Sequence, residues 1–170
     1  MSFFTRLLMI AIAAGALLVG IQIPNFVDQY AKRLDAHYIE VQTNLKPFQD
    51  IADQFHGGSL DALISKHRQS NDLTFHAEGT AIEKMVRRLQ RFEREKRELQ
   101  VPLPKQVMFL VSRADPDLVE ETRTNYSFGL MLDRAAVIAG LMCMLAAVIA
   151  LELFAWLVRS LTRPAPVPFS

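Results

Sequence analysis

Glu152 stands alone as an ionisable residue inside a long apolar run, Ala135 to Val158. A charge so placed in a membrane is costly, which makes it a candidate for pairing or for ion or proton transfer. Its depth favours pairing: it lies six residues before Val158, about 9 Å along a helix. There it can reach the interface or carry a proton. If the apolar runs at the two chain ends pair antiparallel, Arg6 comes to the same membrane face, and an Arg6–Glu152 pair between helices is the expectation.

The most charged stretch is Lys84 to Glu98. It sets Lys84, Arg87, Arg88, Arg91, Arg94, Lys96 and Arg97 against Glu93, Glu95 and Glu98. Arg87, Arg88, Arg91 and Arg94 are the candidate basic interaction face, suited to anionic headgroups or an acidic partner. A solvated face of mixed ion pairs is the plainer reading. A third is internal, with the acidic stretch Asp115–Glu121 lying beside this helix. Nucleic acid is not expected, because neither a basic excess nor an aromatic stacking pattern accompanies the arginines.

The remaining chemistry is sparse. His37, His56, His67 and His76 lack ligand spacing, and no His-Glu-x-x-His or zinc pattern occurs. His37, beside Tyr38, reads as an interhelical packing residue. No nucleophile elbow or phosphate loop is present. The single cysteine, Cys143, excludes an intramolecular disulfide. Catalytic residues, metal and cofactor are therefore all expected to be none.

Two apolar runs must position whatever chemistry there is. A bilayer core of about 30 Å needs about 20 apolar residues of helix. Residues 135–158 meet this and residues 7–23 are at the short end. An uncleaved signal-anchor is expected for the first, since the run continues through Leu17, Leu18, Val19 and Ile21 past its alanines; a cleaved signal peptide is the rival. The expected division is a tail of 1–6, a span of 7–23, an extramembrane domain of 24–134, a span of 135–158 and a tail of 159–170. The middle segment holds 16 of 19 basic and 17 of 18 acidic residues, for a net charge of −1. Arg6, Arg159 and Arg163 outside the spans favour cytoplasmic ends, while Lys32, Arg33, Arg123 and Arg134 point the other way. In a bacterium the middle domain is expected in the periplasm.

Small residues recur four apart in both runs. Ala11 with Gly15 and Ala136 with Gly140 are the candidate helix-packing seam; Ala16 with Gly20, and Ala139, Cys143 and Ala147, repeat the spacing. Such rows let backbones approach in lipid, although alanine-rich composition alone produces them too.

Between the spans the apolar residues step by threes and fours: Phe26, Tyr30, Leu34, Tyr38, Val41, Leu45, Phe48, Ile51 and Phe55. This is one stripe of a helix continuing the first span as a stalk, with Pro24 and Pro47 as kinks or helix starts. Gly57-Gly58 ends it and Ser59 caps a short helix burying Leu60, Leu63 and Ile64. A turn near Ser70–Asp72 precedes a long helix with Ile82, Met85, Leu89, Phe92 and Leu99 on one face, broken at Pro102 and Pro104. Val107–Val111 fits helix or strand. Asp115-Pro116 starts a helix expected to run on into the second span. The expected fold is all-α: two transmembrane helices extending into an antiparallel extramembrane helical bundle.

Gln22-Ile23-Pro24-Asn25-Phe26-Val27-Asp28-Gln29-Tyr30, with Leu34 and His37, and Phe48-Gln49-Asp50-Ile51-Ala52 with Gly57-Gly58-Ser59-Leu60 resemble a proteobacterial family of small two-span inner-membrane proteins, catalogued only as a domain of unknown function (family 2937). The likeness covers nearly the whole chain and implies an inner-membrane protein. It transfers no catalytic residue.

The function expected is a non-enzymatic accessory, scaffold or assembly protein. Its partners would be the lipid bilayer and either another envelope protein or a second copy. A ligand-sensing domain is the alternative, by architectural analogy with chemoreceptors, but twelve residues after the second span hold no output domain. A transporter subunit is the third reading.

Overall fold

The computed structural model describes residues 3–129 and 134–161; side chains are described from Arg6, and those of Arg159 and Leu161 are not. Asp133, Arg163 and the rest of the tail from 162 lie outside the described residues. The described chain is six helices: α1 (Phe3–Phe55), α2 (Leu60–Arg68), α3 (Leu73–Glu98), α4 (Leu103–Ser112), α5 (Pro116–Thr124) and α6 (Arg134–Leu161). No strand occurs among the described residues, so Val107–Val111 resolves as part of α4.

Helix starts and stops follow local chemistry. α1 runs 53 residues through both Pro24 and Pro47; each proline lacks an amide donor, a local cost that the rest of the helix carries. It ends where Gly57 and Gly58 take φ of 59° and 83°, a left-handed conformation that glycine adopts freely. The Gly58 N–H then bonds back to the Ala52 carbonyl at 3.0 Å. Ser59, Asp72 and Asp115 cap α2, α3 and α5, their side chains accepting from the amides of Ala62, Thr74 and Asp117, which satisfies donors that a helix start leaves orphaned. Pro102 and Pro104 set the start of α4.

The chain forms two compact units, Met1–Phe26 with Ser127–Ser170, and Val27–Tyr126. In the second, one core joins Tyr30, Leu34, Val41 and Leu45 of α1, Ile64 of α2, Ile82 and Phe92 of α3, Phe109 of α4 and Leu118 of α5. The stripes read from the sequence on α1 and α3 are thus the packed faces from Tyr30 to Phe48 and from Ile82 to Leu99, whereas Ile51 and Phe55 at the end of the α1 stripe are exposed. Tyr30 meets Glu95 and His37 meets Arg88, so α3 runs antiparallel to α1.

The first unit holds the apolar segments. α1 and α6 are both long and apolar enough to cross a membrane. In one respect the fold departs from expectation: no single helix joins Pro116 to the second span. α5 stops at Thr124, where the Asn125 amide and side chain both bond to the Glu121 carbonyl, at 3.1 and 3.0 Å. Beyond it the Asn25 side-chain amide donates to the Ser127 carbonyl at 3.2 Å, and that of Gln22 to Gly129 at 3.4 Å. Side-chain donors thus take carbonyls that a continuing helix would satisfy internally. Only α1 belongs to both units.

Candidate functional site

Two constellations emerge, one in each unit. In the apolar unit the helices meet at Gly20 and Gly140. A Cβ on Gly20 would lie 2.7 Å from the Ala139 carbonyl oxygen and the Gly140 Cα, and 2.9 Å from the Cys143 Cβ. A Cβ on Gly140 would lie 2.8 Å from Ile21 Cγ1 and 3.1 Å from the Leu17 carbonyl oxygen. Ala136 is fully buried beside this contact. Of the seam residues read from the sequence, Ala136 and Gly140 are therefore buried at the crossing. Ala11 and Gly15 lie on the exposed face of α1, with open space around Gly15. Their place is taken by Gly20, from the other four-residue row.

Arg6 and Glu152 are both exposed, and no ion pair joins them among the described residues.

In the polar unit a seam of ionisable groups runs between α1, α3 and α5. The Tyr30 hydroxyl, fully buried, donates to Glu95 Oε2 at 2.5 Å, and Glu95 is itself buried. Burial first, and then the Glu95 hydrogen bond and charge, push the Tyr30 phenol far above its usual range, because the phenolate would be desolvated beside an acid. The phenol stays a donor at all ordinary pH. Arg91 reaches the buried Asp115 carboxylate at 2.8 Å, while the same carboxylate caps α5.

The seam continues at His37. Its Nε2 is 2.8 Å from Glu121 Oε2, its Nδ1 is 3.2 Å from Glu40 Oε2, and Arg88 stands 3.4 Å from Nδ1. Arg33 donates to Glu121 at 3.1 Å and to the Asn125 carbonyl at 3.3 Å, leaving its Nε buried without a partner. The His37 hydrogen bond, aided by Arg33, holds the Glu121 carboxyl below its ordinary range. His37 also lies 6.2 Å from the Phe92 ring, so it packs and bonds at once.

The four arginines of the candidate basic face are divided by this arrangement. Arg91 turns inward to Asp115. Arg88 lies over Phe92 at 5.1 Å to the ring centroid, a cation–π distance. Arg87 pairs with Glu83 on its own helix, and Arg94 is exposed. Of the acidic stretch 115–121, Asp115 lies beside α3 through Arg91 and Glu121 binds α1. Sequence reasoning passed over Tyr30–Glu95. The signal was present: Glu95 falls three residues after Phe92 and four before Leu99, in phase with the buried stripe, where a carboxylate requires a partner.

Among the described residues no group of three His, Cys, Asp or Glu is placed to hold a metal ion. His67 instead packs its ring at a tilt against Phe75, with centroids 5.5 Å apart, and approaches Glu78 at 3.7 Å.

The class of protein so defined is an all-α chain in which two span-length apolar helices cross at glycines and a five-helix polar unit is cross-linked by ion pairs. The chain belongs to the family described as "Protein of unknown function (DUF2937)", whose match covers residues 4–164. No curated protein and no solved structure matches it.

Proposed function

We propose that this chain is a non-enzymatic accessory or scaffold protein of a bacterial inner membrane. Both apolar helices cross the bilayer, and residues 27–126 stand on the periplasmic side to bind another envelope component. The observation that carries the reading is how the reactive-type side chains of that unit are used. Tyr30, Glu95, Arg91, Asp115, His37 and Glu121 tie α1, α3 and α5 to one another, which suits a stiff module presented to a partner. Ile39, Leu73, Met108 and Val111 remain exposed on its surface, apolar area that a partner would remove from water. Arg6 before the first apolar run and Arg159 after the second suit cytoplasmic ends.

The test is chemical cross-linking in native membranes, followed by purification in mild detergent and identification of what accompanies the protein. A specific stoichiometric partner bound through residues 27–126 supports the reading. Recovery of the chain alone, or only with copies of itself, overturns the binding of another component.

A further inference from the structure

We propose that two copies of this chain associate within the membrane, each Glu152 pairing with Arg6 of the other. The inference rests on the two-span reading above and adds the partner for its one embedded charge.

Gly20 of α1 packs on Gly140 of α6, and Gln22 and Asn25 meet Gly129 and Ser127, so the two segments run antiparallel. Arg6 lies 14 residues before Gly20 and Glu152 12 residues after Gly140. These are roughly 21 and 18 Å along the helices. Arg6 and Glu152 thus sit at nearly one depth, near the same end of the apolar pair. Yet both side chains are exposed, and no ion pair joins them among the described residues. A carboxylate against lipid gains strongly from an opposite charge.

The chain carries both halves of such a pair at matching depth, which makes its surface self-complementary. A two-fold axis along the membrane normal sets residue i of one copy on residue j of the other and the reverse, so one contact forms twice. Ile138, Met142, Leu145, Ile149, Glu152 and Trp156 recur at alternating steps of four and three and are all exposed, so Glu152 lies on a face of α6 that stays open along the helix. A foreign partner would have to bring its own base to this depth; a second copy already has one.

The full-length chain, labelled at the C-terminus with donor or acceptor fluorophores, is reconstituted into phosphatidylcholine vesicles and energy transfer measured against dilution in lipid. The natural sequence is expected to associate. Glu152→Gln and Arg6→Gln should each weaken association about ten-fold. The decisive sample mixes one chain carrying Glu152→Arg with another carrying Arg6→Glu. Each alone sets like charges together and should stay monomeric, whereas the mixture restores both pairs and should associate as heterodimers. Failure of the mixture to associate overturns the proposal. So do unchanged association in both glutamine variants and a natural chain that floats with the vesicles as a monomer. A chain that does not float with the vesicles at all overturns the two-span reading itself.

Discussion

The two units are held together in opposite ways, and α1 serves both. In the polar unit α1 contributes Tyr30, Leu34, Val41 and Leu45 to a core that excludes water, and polar groups entering that core arrive with partners. In the apolar unit the same helix meets α6 through absence of side chain, Gly20 against Gly140. The difference follows from the surroundings. Where water drives burial, large apolar residues mark the contact. Where every face is apolar, contact comes from backbone approach, and small residues mark it. The contrast teaches that one helix is to be read by two rules along its length.

The sharpest way to break this comparison is to add side chain where each unit tolerates it least. Gly20→Leu drives carbons into the backbone of α6, and Gly140→Leu into the Ile21 and Leu17 side chains of α1; both should separate the apolar pair, the first more than the second. Overpacking of this kind costs about 1–3 kcal/mol or more, read as lost cross-linking between α1 and α6. Leucine at Gly15, which faces open space, should leave the pair intact. In the polar unit Asp115→Ala should be the most damaging single change. It removes the α5 cap and the Arg91 partner together, for about 2–4 kcal/mol in urea unfolding of the detergent-solubilised chain.

Tyr30→Phe comes next, since it strands Glu95 in the core, at about 1–3 kcal/mol. Glu95→Gln, which keeps an acceptor for the phenol, should cost less. Ser59→Ala should cost about 1 kcal/mol through the lost cap of α2. The smallest effects are in pH dependence, and their signs differ. Glu121 is held low by His37 and Arg33, so its contribution is present above the ordinary carboxylate range, about pH 4, and is lost as pH falls through its folded value. Tyr30 is held high by burial and Glu95. Its contribution is present below about pH 10 and fades as pH rises toward its folded value. Glu121→Gln should flatten the acid limb of a melting-temperature profile, and Tyr30→Phe the alkaline one.

Much of the polar unit was legible because burial imprints itself on periodicity. The apolar steps from Tyr30 to Phe48 and from Ile82 to Leu99 are the packed faces of α1 and α3, while Ile51 and Phe55 at the end of the stripe are exposed, and Ser59, Asp115-Pro116 and Gly57-Gly58 mark real boundaries. The stop at Thr124 was not legible. No proline or glycine forces it, and distant side-chain amides, Gln22 and Asn25, take the carbonyls that follow. In the apolar unit the seam on α1 was expected at Ala11 and Gly15, but Gly20 of the second small-residue row makes the contact, and only the crossing itself distinguishes the two rows. Polar partners were partly legible: charge complementarity pointed α3 toward Asp115–Glu121, whereas the Tyr30–Glu95 bond needs both helices in register.

The measurement that bears most directly on the two-rule account uses the native thiol in the seam. A Cβ on Gly20 would stand 2.9 Å from the Cys143 Cβ, and disulfides bridge Cβ atoms about 3.5–4.5 Å apart, so a small separation of the helices admits the bond. Native membranes carrying Gly20→Cys are oxidised and the chain analysed for an intrachain disulfide to Cys143, beside Gly15→Cys. The account predicts more cross-linking from position 20, whose added carbon faces Cys143, than from position 15, which faces open space. Cross-linking from position 15 equal to or above that from position 20 would contradict it.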